Sequence, residues 1–125
     1  MSLGVAILIG VLLLVGGFIG LQLWMIRKMK ANVGREAPPL GDLGDPEGRI
    51  VWFYGPSCAP CHAMRPDVDA LGEQAIPVDI SRHMDIAMAY GVMATPTSVL
   101  VRNGRIVEVR PGRLSRAQLQ ELLAA

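Results

Sequence analysis

The sequence predicts an α/β domain of order β-α-β-α-β-β-α, a mixed sheet with helices on both faces, preceded by one N-terminal transmembrane helix. Three observations carry that prediction. A continuous apolar run, Ile50–Tyr54, breaks at Gly55–Pro56–Ser57 into a helix-like segment, the start of a strand–helix–strand unit. Asn103–Gly104 separates two strand-like runs and is the strongest short-range hairpin signal. Leu3–Ile26 runs for 24 residues without a charge. With 125 residues the chain is long enough for one folded domain, expected over 49–125 behind a span at 3–26 and a linker at 27–48.

Each element has its own justification. A helix over 3–26 is about 36 Å long, enough to cross a hydrocarbon core of roughly 30 Å with some tilt. Gln22 is its one strongly polar side chain, and Trp24 falls where interfacial aromatics are favoured. A basic leader segment and a small-residue cleavage site are both missing, so the run reads as a permanent anchor in a single-pass protein of the bacterial inner membrane. Arg27, Lys28 and Lys30 follow the span, with Arg35 further on, while no basic residue precedes it. The positive-inside rule therefore puts the domain in the cytoplasm, the periplasm being the alternative. The same cluster suits anionic lipid heads. A net charge of +1 offers no footprint for nucleic acid.

Ala31–Gly48 holds three Pro and four Gly without an apolar period, hence the linker. Ile50–Tyr54 is unbroken rather than alternating, as in a strand buried on both faces. A helix begins near Cys58 with Pro60 in its first turn, where a missing N–H costs nothing. Pro66 should kink it or end its first part, and Gly72 is a stop. Ile76–Ile80 reads as a second strand. Ser81 is placed to cap a helix running to Tyr90 with Gly91 beyond its end. Met84, Ala87 and Met88 share one face of it and read as packing. Thr97–Arg102 and Arg105–Arg110 form the hairpin, with Val107 and Val109 on one face and Glu108 and Arg110 on the other. Ser115 and Gln118 make a capping-box pattern for a last helix that buries Leu119, Leu122 and Leu123.

The only cysteines are Cys58 and Cys61, on the turn between a buried strand and a helix N-terminus. A free thiol titrates near 8.5, and the unpaired N–H groups of a helix N-terminus favour its thiolate. Cys58 sits at that end and Cys61 one turn in, so Cys58 is assigned as nucleophile and Cys61 as resolving thiol. Cys58 forms a mixed disulfide with a substrate, and Cys61 then attacks it.

Three segments in order carry a family resemblance. The first is Trp52–Pro66, with Cys-Ala-Pro-Cys and a proline five residues after the second Cys. The second is Tyr90–Thr97, followed by a strand, Asn-Gly and a strand. The third is Gly112–Leu119. Together they cover about residues 50–124 and resemble the thioredoxin superfamily. The resemblance implies a cis Thr95–Pro96 bond facing the Cys pair and a Thr95 backbone that pairs with an extended substrate. Met93, Ala94 and Gly112 would line the same groove. Trp52, Tyr54, Ser57, Pro60 and His62 would make up the surroundings of the active site. Two departures stand out. Trp52 occupies the position where the family often buries an acid, and Ser57 replaces the usual aromatic before the first Cys. The active-site helix is expected to be truncated and the N-terminal β-α unit reduced or absent.

Other chemistries fit the same residues. Cys58–x–x–Cys61–His62 matches the c-type haem attachment pattern of an electron carrier, with Met84, Met88 or Met93 as the second axial ligand. Zinc would use Cys58, Cys61, His62 and His83, at a spacing that fits no common site. A redox-inert scaffold explains little, since a link between positions i and i+3 staples almost nothing. The reading adopted is a membrane-tethered thiol–disulfide oxidoreductase with no cofactor or metal beyond a redox-active Cys58–Cys61 disulfide. Ala59–Pro60 is closer to the reducing Gly-Pro type, so protein disulfides are expected to be reduced. The implied partners are a protein disulfide substrate, an upstream thiol reductant and the lipid bilayer, with no nucleic acid.

Overall fold

A computed structural model describes residues 2–125. Helix α1 spans Leu3–Lys30, capped by the Ser2 hydroxyl, which accepts from the Val5 N–H at 3.3 Å. It is long and apolar enough to cross a membrane, with mean hydropathy 2.7 and its span buried against nothing. The helix outruns the expected 3–26 because Arg27, Lys28 and Lys30 suit its negative C-terminal end and Met29 is pulled into the domain core.

The domain sheet has the order β2-β1-β3-β4, from β1 (Ile50–Tyr54), β2 (Ala75–Asp79), β3 (Thr97–Arg102) and β4 (Arg105–Pro111). β1 runs parallel to β2, and the β1–β3 and β3–β4 pairs are antiparallel, so the sheet is mixed. Helices α2 (Ala59–Asp69), α3 (Met84–Ala89) and α4 (Arg116–Ala124) complete the predicted order. Alternate residues of β1 feed two cores. Val51 and Phe53 join Val78, Val99, Val101, Ala87 and Tyr90 on one face. Ile50 and Trp52 join Cys61, Met64, Leu100 and Leu119 on the other. Thus α2 and α4 cover one face, and α3 with the end of α1 covers the other. The Ser115–Gln118 capping box starts α4 as read from the sequence.

Several local expectations give way to the structure. Residues 31–48 do not hang as a bare linker. Gly34 N–H donates to the Ile106 carbonyl at 2.7 Å, Ala37 N–H to Gly104 at 2.8 Å and Gly48 N–H to Val101 at 2.8 Å. Glu36 bridges to Arg105, so the segment shields part of the β4 edge. Leu40 is buried, and the Tyr90 hydroxyl donates to the Pro38 carbonyl at 2.7 Å. α3 starts at Met84 rather than after Ser81, because Asp79 Oδ1 takes both the N–H and the hydroxyl of Ser81. Those two bonds hold the Asp79 carboxyl below its ordinary range. Pro66 lies inside α2 without ending it. In β4 a register shift after Leu100 turns Val107 outward, so Ile106 and Val109 carry the core face instead. The shift is a bulge, which alternation alone cannot reveal.

Tyr90 ties α3 to the 31–48 segment, and burial pushes its phenol up from 10.0 to about 12. A raised phenol stabilises the fold below pH about 10, and that contribution drains away as pH rises towards about 12. Tyr90→Phe should cost about 0.5–1.5 kcal/mol at neutral pH through the lost hydrogen bond. It should also flatten the alkaline fall in stability. Urea unfolding of the two proteins across neutral and alkaline pH measures both; parallel curves would remove Tyr90 as the source.

Candidate active site

The two cysteines owe their placement to β1 and α2. Buried on both faces, β1 stops at half-buried Tyr54, and the Gly55–Ser57 turn delivers Cys58 as the N-cap of α2. Its backbone is extended (φ −88°, ψ 107°), and its Sγ accepts from the Cys61 N–H at 3.2 Å. Cys58 and Cys61 form a disulfide with Cα atoms 5.2 Å apart. Cys58 is half-buried, whereas Cys61 is 1% exposed. At Cys58, then, a sulfur meets both solvent and a helix N-terminus.

A cavity of about 390 Å³ opens over Cys58, lined also by Gly55, Pro56, Ser57, Ile80, Ser81, Met84 and Thr95. The Thr95–Pro96 bond is cis. Gly112 N–H donates to the Pro96 carbonyl at 2.8 Å, and Thr97 Oγ1 to the Ala94 carbonyl at 2.6 Å, pinning this loop on both sides. The structure thus gathers Cys58, Ser57 and Thr95 around one cavity, with Gly112 behind Pro96. Pro60 lies in the exposed first turn of α2. Met93 instead lines a separate cavity with Lys28, and exposed Ala94 lines neither.

Met84 and Met88 were expected to pack, yet they are 53% and 72% exposed. α3 is one short turn and a half, and it gives the core Ala87 while its methionines face outward. Met84 and Ile80 as cavity walls went unnoticed in the sequence. Arg65 is a further residue of the site that the sequence alone does not mark. Its guanidinium sits 5.0 Å from the Tyr54 ring centroid and 5.7 Å from that of Trp52, and the two rings stack at 4.9 Å. Trp52 is buried in the same cluster as Cys61, and its Nε1 has no partner among the described residues; nor has the Oγ of Ser98, opposite it on β3.

His62 Nε2 lies 2.9 Å from the Pro56 carbonyl, an acceptor, so that nitrogen carries the proton. Among the described residues, no group of three or more His, Cys, Asp or Glu is placed to hold a metal, and His83 sits at the start of α3. A larger open cavity of about 810 Å³ beside segment 36–47 shares no lining residue with the one over Cys58.

Comparison with known proteins agrees with this geometry. The thioredoxin family model matches residues 44–125. Thioredoxin of Bacillus subtilis is 30% identical over 77 residues, covering 57% of this chain and 74% of that protein. A thioredoxin-like protein of Synechocystis is 31% identical over 86 residues, covering 64% of this chain and 82% of that one. The X-ray structure of Fasciola hepatica thioredoxin superposes with a TM-score of 0.57 at 29% identity, over 63% of this chain and 82% of its own.

The orphaned indole makes a specific demand. Trp52→Ala should cost about 3–5 kcal/mol, as for other large core aromatics. Trp52→Phe should cost about 1 kcal/mol or less, because the lost volume is offset by removing an unpaired buried donor. Denaturant unfolding separates the two; equal costs would mean that Nε1 has a partner.

Proposed function

The chain belongs to the thioredoxin family and is a thiol–disulfide oxidoreductase; from that premise we propose that it is a membrane-tethered reductase of protein disulfides working through Cys58 and Cys61. The observation that carries the reading is the Cys58 sulfur at the N-terminus of α2, accepting the Cys61 N–H beside the Thr95–Pro96 loop. In the reduced protein the same N–H and the helix dipole would favour a Cys58 thiolate.

That thiolate attacks one sulfur of a substrate disulfide. The substrate S–S bond breaks, its second sulfur leaves as a thiolate and takes up a proton, and a Cys58–substrate mixed disulfide remains. Cys61 then gives up its proton, attacks Cys58 Sγ and expels the substrate sulfur that Cys58 had first attacked, which leaves as a thiolate and is protonated in turn. Two electrons pass to the substrate, and an external thiol reductant resets the pair. An indole N–H donates but does not accept. Trp52 therefore cannot take the Cys61 proton, which goes to water or to the departing thiolate.

Substrate positioning rests on the opposite wall. The Thr95 N–H and C=O enter no backbone hydrogen bond among the described residues, which leaves them available to an extended substrate segment. Ala59–Pro60 between the cysteines favours the reducing direction. The apolar, exposed α1 supports the tether, and Arg27, Lys28 and Lys30 at its end favour a cytoplasmic domain.

Insulin reduction by the full-length protein in detergent, driven by dithiothreitol, tests the chemistry. Cys58→Ala should fall to the enzyme-free rate, and Cys61→Ser should accumulate a mixed disulfide visible as added mass. A Cys58→Ala protein as fast as the parent would defeat the mechanism. For topology, a membrane-impermeant maleimide should label reduced Cys58 only after lysis. Labelling in intact cells would put the domain outside.

A further inference from the structure

This inference rests on the membrane-tethered oxidoreductase reading and concerns where its groove works and on what. The junction between α1 and the domain is packed rather than loose. Met29 is 3% and Asn32 8% exposed. Asn32 Nδ2 donates to the Met29 carbonyl at 3.2 Å, and its Oδ1 accepts from Arg35. Gly91 (φ +71°) lies so close that a Cβ there would collide with the Asn32 amide. The end of the span is thereby fixed to the α3–β3 loop.

Beside this junction a cavity of about 300 Å³ is lined by Lys28, Asn32, Met88, Gly91, Val92 and Met93. Lys28 lies two residues past Ile26, about 3 Å along the helix axis. The exposed Met88 and Met93 are therefore held at the level where apolar core gives way to headgroups. Met84, one turn from Met88 and about 6 Å away along α3, lines the cavity over Cys58. Met93 is two residues, at most about 7 Å, from Thr95 on its other wall. A short apolar strip thus joins the membrane boundary to the dithiol.

We propose that the face formed by Lys28, Met88, Val92 and Met93 rests on anionic lipid headgroups, and that the dithiol consequently serves disulfides near the bilayer, in juxtamembrane segments of membrane proteins. Lipid is the occupant because the patch is continuous with the end of the span and pairs apolar side chains with a cation, next to Arg27 and Lys30. The redox step is unchanged: the substrate S–S bond becomes two thiols, Cys58 and Cys61 become a disulfide, and a thiol reductant returns the electrons.

The test uses full-length protein in phosphatidylcholine vesicles with roughly one-quarter phosphatidylglycerol. A comparison protein carries a flexible Gly/Ser insertion of roughly ten residues, reaching about 17 Å, between Ile26 and Arg27. This leaves Met29 and Asn32 docked. Substrates are soluble insulin and two single-span peptides with an intrachain disulfide about 5 or about 25 residues from the span. The parent should reduce the near disulfide roughly tenfold faster than the far one. The insertion should abolish that preference and leave insulin reduction unchanged. With the dithiol held oxidised, peroxide should oxidise Met88 and Met93 several-fold more slowly in the parent than in the insertion protein, and the protection should weaken in phosphatidylcholine alone. Equal near and far rates in the parent, or equal methionine oxidation in the two proteins, with insulin reduction intact, overturns the inference. Failure of the parent on insulin instead overturns the oxidoreductase reading beneath it.

Discussion

Burial of β1 on both faces is the constraint on which the remaining structure depends. Ile50, Val51, Trp52 and Phe53 are each essentially inaccessible to solvent. A side chain of that size contributes about 1.5–3 kcal/mol when fully buried. Such a strand needs neighbours on both edges and helices on both faces. β2 and β3 supply the edges, α2 and α4 one face, and α3 with the end of α1 the other. The strand ends where burial ends, at Tyr54, and there the chain turns to present Cys58. The position of the reactive sulfur is thus set by packing several residues upstream. Cys61 belongs to the same bargain: as one member of the core under α2, it cannot move without disturbing Met64, Val68 and Trp52.

The short N-terminal part of the domain solves a related problem. Among the described residues, no strand precedes β1, so β4 is left as an edge. An open edge invites pairing with other chains. Residues 34–37 take up its hydrogen bonds, and Glu47 accepts from the Asn103 and Gly104 N–H groups at 2.6 and 2.7 Å, closing the hairpin tip. Leu40 and Met29 then fill the core that a further helix would otherwise supply. A segment with little regular structure does the work of a β-α unit because its contributions are backbone bonds and the Leu40 side chain, with Met29 added from the end of α1.

That explains what could be read from the sequence and what could not. β1, the hairpin, the capping box of α4 and the dithiol turn depend on local signals: an apolar run, Asn-Gly, Ser-x-x-Gln and a Cys pair before a helix. The order of elements followed from them. The role of 31–48 did not, because backbone pairing to β4 leaves no side-chain period. The β4 bulge was hidden for the same reason, and alternation wrongly put Val107 on the face of Val109. The methionines of α3 misled in the opposite way. Their spacing matches packing, but only three-dimensional placement shows that Ala87 faces the core and that Met84 and Met88 face outward. At the site, Cys58 and the Thr95–Pro96 loop were legible from motifs. Arg65 was not, since its partners are the two rings of β1 across the helix–sheet interface.

Trp52 and Arg65 together change what this site asks of its second thiol. A carboxylate beneath Cys61 would accept a proton but would also repel a developing thiolate. The stacked Trp52–Tyr54 pair brings no negative charge, and Arg65 over those rings brings a positive one at the rim. Cys61 thus sits in an apolar cluster with no carboxylate among its described members. In the proposed cycle its proton must leave at the moment of attack. The departing substrate thiolate is generated at that same place, and it is a base. Coupling the two transfers removes the need for a buried acid, provided the substrate sulfur leaves from the cavity over Cys58. In the proposed cycle the missing carboxylate shifts proton handling from the protein to water or the substrate. The resolving step then becomes sensitive to how the substrate is seated between Thr95 and Met84.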